Sequence, residues 1–128
     1  MSGDDVVLIV DDHHALARSL VSLFRTSGFD AQAVHSGAEA LAFVHNHAAV
    51  ALILLDMSLP DVSGVEVLRA IRLGRGAVPV VMFSADQDQV TRDELIQLGA
   101  TDFVSKTNPG GLLRVVSAYV RPTTPPRA

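Results

Sequence analysis

The chain has no cysteine, a single lysine, and no apolar run near the ~18 residues of a membrane span. Without cysteine there is no disulfide framework and no thiolate nucleophile or ligand, which fits a reducing compartment. Basic residues are not clustered and the net charge is −4, so nucleic-acid binding by this domain alone is disfavoured. The start, Met1-Ser2-Gly3-Asp4-Asp5, is acidic and lacks the basic opening of a signal peptide. The expected location is therefore the cytoplasm, with no membrane contact. There is no Gly-x-Ser-x-Gly elbow for acyl transfer and no glycine-rich nucleotide loop.

What is present is apolar and ordered. Hydrophobic residues make up 48% of 128 residues, enough for the core of one domain. Strand-like and helix-like segments alternate five times. Val6–Val10 and the run 50–55 are unbroken and rich in branched residues, as strands buried on both faces of a parallel sheet are. A weaker strand spans about 30–34. A fourth run, Val80–Phe83, is introduced by Pro79, and a short fifth strand covers Asp102–Val104.

Between the strands lie helical patterns. Leu16, Leu20, Leu23 and Phe24 fall at helical spacing, with Gly28 as the stop. Ser36-Gly-Ala-Glu39 and Ser63-Gly-Val-Glu66 are capping boxes opening the second and third helices, and Gly74 and Gly76 close the third. A helix at about 88–98 has a ragged apolar face of Val90, Leu95, Ile96 and Leu98, and ends at Gly99. The last, about 110–120, carries Leu112, Leu113, Val116, Tyr119 and Val120 in a stripe, with Gly110-Gly111 weakening its start. Five βα units imply right-handed crossovers and a three-layer α/β/α sandwich. The expected organisation is an extension at 1–5, one domain at 6–120, and a proline-rich tail or linker stub at 121–128.

Ligands of an open parallel sheet bind at the carboxyl ends of its strands. Asp11 and Asp12 end the first strand, Asp56 the third and Ser84 the fourth, and Lys106 follows the fifth by two residues. Each has an ordinary explanation alone: an N-cap for Asp11 or Asp12, a loop aspartate before a proline turn for Asp56, a hydroxyl bonded to backbone for Ser84. Those explanations do not account for polar groups converging from four strand ends. Packed carboxylates repel and make sense when a cation or proton relieves the repulsion. Lysine, a compact charge among oxygens, suits such a place better than the nine arginines.

The pieces Leu8-Ile-Val-Asp-Asp12, Leu54-Leu-Asp56-Met-Ser-Leu-Pro60-Asp-Val-Ser-Gly64, Val80-Val-Met-Phe-Ser84-Ala and Gly99-Ala-Thr-Asp-Phe103-Val-Ser-Lys106 resemble the receiver domain of two-component response regulators, over about residues 5–120. The resemblance implies a flavodoxin-like (βα)5 fold with strand order 2-1-3-4-5. It implies Asp56 as phosphoacceptor. It implies Mg²⁺ (or Mn²⁺) held by Asp12, Asp56 and the Ser58 backbone carbonyl, with Asp11 nearby. Lys106 and Ser84 become phosphoryl-binding groups, and Ser84 and Phe103 the switch pair. The implied partners are a histidine kinase or histidine phosphotransfer protein and a downstream protein target, with homodimerisation through the fourth-helix to fifth-helix face as a further option. Such a domain promotes its own phosphorylation and dephosphorylation and is not a turnover enzyme.

The chain departs from the family pattern after Lys106, where Thr107 stands in the usual place of proline; a cis Lys106–Thr107 bond would cost ~3 kcal/mol over trans. Ser58 and Asp86 lie where family members tune dephosphorylation. His13, His14, His45 and His47 read as solvated helix residues, since no third ligand at a plausible spacing accompanies them. Two competing functions stand beside the phosphorylatable receiver. One is a degenerate receiver that only binds a partner. The other is a hydrolase of the haloacid-dehalogenase type, which needs an acid two residues after the nucleophile, where this chain has Ser58.

Overall fold

The computed structural model describes residues 6–46, 49–74, 76–84 and 92–122. Strands β1 (Val6–Val10), β2 (Asp30–Val34), β3 (Val50–Asp56), β4 (Val80–Ser84) and β5 (Asp102–Ser105) alternate with helices α1 (His14–Thr26), α2 (Gly37–Asn46), α3 (Gly64–Gly74), α4 (Arg92–Gln97) and α5 (Pro109–Tyr119). All strand pairs are parallel, in the order β2-β1-β3-β4-β5.

The continuous apolar runs hide a period of two, because successive side chains point to opposite faces. Val7, Ile9, Leu52, Leu54, Val81 and Phe83 face α1 and α5 and pack on Leu20, Phe24, Leu112 and Val116. Leu8, Val10, Ile53, Leu55, Val80 and Met82 face the other way and pack on Ala40, Val44, Val67, Leu68, Ile71 and Leu95. Both faces are covered, which is why the runs carry no polar interruptions until the strands end.

Local signals act largely as expected. In the first capping box the Ser36 hydroxyl accepts the Glu39 N–H (3.1 Å), while the Glu39 carboxylate reaches one residue past the cap to the His35 N–H (2.7 Å). The second is reciprocal: Ser63 Oγ accepts from Glu66 N and Glu66 Oε2 from Ser63 N, each at 3.3 Å. Gly28 takes a φ of 95°, open to glycine at little cost, as α1 ends.

Boundaries differ little. Pro79 stands just outside β4 but contributes its carbonyl, which accepts the Ile53 N–H (2.9 Å); no proline N–H is needed there. α5 starts at Pro109, as expected to within one residue, and Asn108 caps it, its Oδ1 accepting the Gly111 N–H at 3.0 Å. Gly111 is therefore fitted to its place, since a Cβ would lie 2.6 Å from Asn108 Nδ2. Val120 follows α5 in extended conformation, although buried. The expected opening of the α4 helix at 88–91, including Val90, lies outside the described residues, as do His47, Asp86, the extension at 1–5 and most of the tail. The Lys106–Thr107 peptide is trans.

Candidate functional site

Sheet register assembles the site. β1 and β3 pair Val10 with Leu55, so the next residues, Asp11 and Asp56, emerge side by side at the carboxyl edge. β3 and β4 pair Asp56 with Phe83, and β4 and β5 pair Ser84 with Ser105, which brings Lys106 in from the far side. The Lys106 N–H donates to the Ser84 carbonyl (2.8 Å) and fixes the turn that carries the lysine.

Carboxylate oxygens of Asp11, Asp12 and Asp56 lie within 4.8 Å of one another, the one such group of three or more acidic or histidine side chains among the described residues. Asp11 is fully buried, Asp56 is 3% exposed, and Asp12 opens to solvent. Neither Asp11 nor Asp12 caps α1. His13 occupies that position without a side-chain cap, and Asp11 Oδ1 instead accepts the His13 N–H (2.9 Å). Asp56 Oδ1 accepts the Ser58 N–H (3.1 Å) and Oδ2 accepts from the Lys106 ammonium (3.0 Å). The same ammonium stands 3.3 Å from Asp11 Oδ2 and 5.2 Å from the centre of the Phe83 ring, within cation–π range.

One ammonium thus serves two buried carboxylates, and the electrostatics follow. Burial, reinforced by the Asp11 charge, pushes the Asp56 carboxyl from 3.8 up to about 6, against the pull of Lys106 and the Ser58 N–H. Burial works against the Lys106 charge, but Asp56 and then Asp11 outweigh it and hold its pKa above the ordinary lysine value. Buried Asp11 Oδ2 has ion-pair proximity to Lys106 but no aligned hydrogen bond. A buried carboxylate oxygen with a shared ammonium 3.3 Å away, close to two further carboxylates, suits a hard divalent cation such as Mg²⁺, which takes oxygen ligands in octahedral array and keeps waters. The donor set contains no sulfur or imidazole that would favour a softer metal.

The loop after β3 is folded tightly. Ser58 and Ser63 form an isolated antiparallel bridge, and Gly64 N donates to the Met57 carbonyl (2.9 Å). Gly64 admits no side chain, because a Cβ would collide with the Asp56 carbonyl oxygen. Ser84 is 1% exposed at the end of β4. Phe103 is half-buried against the core cluster shared by α2, α3 and α4.

A profile of the response regulator receiver domain matches residues 7–117, most of the chain. The chain belongs to this family. The sensory transduction protein RegX3 of Mycobacterium tuberculosis H37Rv is 40% identical over 100 residues, covering 78% of this chain and 43% of that protein. The DNA-binding response regulator MtrA of Mycolicibacterium smegmatis is 37% identical over 116 residues, covering 90% of this chain and 50% of that protein. This receiver domain therefore spans about half the length of these relatives or less. A response regulator receiver protein from Pseudomonas putida superposes with a TM-score of 0.83 at 28% identity, covering 92% of this chain and 99% of that one. The fold is the flavodoxin-like (βα)5 arrangement anticipated from the sequence.

Two further side chains, Asp61 and His35, make contacts beside this receiver's acidic pocket. The Asp61 carboxylate accepts the N–H groups of Gly37 and Ala38 at 2.9 Å each, and these bonds hold its pKa below the usual carboxylate range. His35 places Nδ1 2.9 Å from the Asp11 carbonyl oxygen and stacks on His14, ring centres 3.7 Å apart. Neither contact has a local signature, because the partners are far apart in sequence. The Asn108-Pro109 start of α5 did have one, a capping residue followed by proline at the first helical position.

Proposed function

We propose that Asp56 accepts a phosphoryl group from a phosphohistidine on a partner histidine kinase or histidine phosphotransfer protein, in a reaction dependent on Mg²⁺ (or Mn²⁺), and that the phosphorylated domain signals through its α4-β5-α5 face. The observation that carries this reading is the pairing of buried Asp56 with the Lys106 ammonium at 3.0 Å, an ammonium it shares with the second buried carboxylate, Asp11, at 3.3 Å. Asp11, Asp12, Asp56 and the Ser58 carbonyl would hold the ion, which supplies neutralisation of phosphoryl charge.

An Asp56 oxygen forms the new O–P bond as the P–N bond of the donor breaks. The departing imidazole nitrogen keeps the electron pair and takes a proton from solvent. A carboxylate is a weak nucleophile, so the protein contributes alignment and charge stabilisation. Lys106 turns from the Asp56 carboxylate to the incoming phosphoryl oxygens as transfer proceeds. Phosphorylation then offers new acceptor oxygens. The Ser84 hydroxyl rotates to donate to one of them, vacating space for Phe103 to move inward, which shifts the population between two packed states of the α4-β5-α5 face. The signalling unit is residues 6–120. Its place is the cytoplasm, its output is a protein target or a second copy of the domain, and the net charge of −4 disfavours direct DNA binding by this domain.

A degenerate receiver would not need the complete set of three carboxylates, hydroxyl and lysine. A hydrolase would need an acid where Ser58 stands. The test is incubation with a small phosphodonor, with and without Mg²⁺. The expected result is one acid-stable, base-labile phosphate per chain, lost with Asp56→Asn. Absence of labelling in Mg²⁺ refutes phosphotransfer and favours the degenerate receiver. Multiple turnover on a phosphate ester favours the hydrolase.

A further inference from the structure

The two halves of the acidic pocket come from different connections, β1 to α1 for Asp11 and Asp12, and β3 to α3 for Asp56 and Ser58. Between them stands a third connection, the turn from β2 into α2, which touches both. On one side the ring of His35 meets the Asp11 carbonyl oxygen at 2.9 Å. A carbonyl only accepts, so Nδ1 carries the proton and donates. On the other side the N–H groups of Gly37 and Ala38 donate to the two oxygens of Asp61, in the loop that follows Ser58. The turn is itself stiffened, because Glu39 accepts the His35 N–H (2.7 Å) and Ser36 accepts the Glu39 N–H. It also fits closely: a Cβ on Gly37 would lie 2.5 Å from Val62 Cγ2 and 3.3 Å from Asp61 Oδ1.

We propose that His35 and Asp61 are positioning residues for the metal pocket, acting through the His35–Ala38 turn as a brace that sets the spacing between the Asp11-Asp12 loop and the Asp56-Ser58 loop. The deduction rests on the metal-binding reading given above. The brace matters because Mg²⁺ demands near-ideal octahedral geometry, so ligands from two separate loops must be held at a fixed separation before the ion arrives. Three mutually repelling carboxylates would otherwise spread apart. Neither His35 nor Asp61 touches the ion; each fixes the backbone that carries a ligand, as outer partners of metal ligands do.

Mg²⁺ affinity is measured on the whole chain at pH 7.5, by titrating Mg²⁺ alone and following amide NMR shifts. The variants are His35→Ala, Asp61→Ala, the double variant and His35→Asn. Asn places an amide N–H near the position of the imidazole Nδ1–H. Arg72→Met is the control. It removes bonds from Arg72 to the Gly99 and Val78 carbonyls (2.7 Å each) at the opposite edge of the sheet, so it lowers stability without touching the brace. The expected result is a loss of about tenfold in affinity for each alanine variant. The double variant should lose less than the product of the two, because both act on one brace. His35→Asn recovers most of the loss, and Arg72→Met leaves affinity unchanged. Affinities of the two alanine variants within twofold of wild type overturn the brace, as does an equal loss in Arg72→Met. Absence of Mg²⁺ binding by the wild type instead overturns the metal reading, and the brace with it.

Discussion

Replacing Asp56 by asparagine should stabilise the metal-free protein at neutral pH, although it removes one partner of a salt bridge. The carboxyl is raised from 3.8 to about 6, so the folded pocket disfavours its charge more than Lys106 rewards it. Two pKa units correspond to about 3 kcal/mol at ~1.36 kcal/mol each. Water at the pocket mouth screens part of that. The amide also loses one acceptor, leaving either the Ser58 N–H or Lys106 poorly matched, a loss of about 1 kcal/mol. The net expectation is a gain of about 1–2 kcal/mol, or a rise in melting temperature of roughly 5 °C for a domain of this size. The pH dependence is specific. A carboxyl with a folded pKa above its unfolded one binds more protons when folded, so wild-type stability falls as pH rises between 3.8 and about 6. The variant lacks this slope, and the gap closes as pH falls to about 4. Thermal and urea melts in EDTA at pH 7.5, 6 and 4 measure it. A variant less stable than wild type at pH 7.5, or a gap independent of pH, would refute the claim that burial outweighs the ion pair.

Other perturbations follow from named contacts. Lys106→Met leaves two buried carboxylates without a cation and should destabilise the metal-free protein at pH 7.5 by about 2 kcal/mol in urea melts, with partial recovery on adding Mg²⁺. Asn108→Ala removes the α5 cap and should cost about 1 kcal/mol; Gly111→Ala should cost at least as much, because the new methyl displaces the capping side chain. Leu54→Ala opens a cavity in the core shared with α1 and α5 and should cost about 3 kcal/mol, read from the urea midpoint at unchanged slope.

The secondary elements were legible because their signals are local. Both serine-glutamate boxes form hydrogen-bonded caps, and the fully apolar runs became the central strands β1, β3 and β4. Pro79 introduces β4 as the sequence indicates, and from just outside the strand it supplies a carbonyl to the Ile53 N–H. The start of α5 agrees with the expected position to within one residue; the Gly110-Gly111 pair that weakens it by propensity is offset by the Asn108 cap, which needs a residue without Cβ at 111. The convergence of Asp11, Asp12, Asp56 and Lys106 could be anticipated from strand ends alone, because parallel strands share one carboxyl edge. The contributions of His35 and Asp61 could not, since each acts on a residue 23 or 24 positions away.

Which acidic residues end the apolar strands can be read from the chain alone, because the apolar runs and the switch to aspartate are written in neighbouring residues. How those charges coexist depends on the three-dimensional arrangement. One ammonium shared between Asp11 and Asp56, and a turn from another connection bridging the two loops, are matters of distance between remote segments, and Coulomb and hydrogen-bond energies depend on distance in space rather than along the chain.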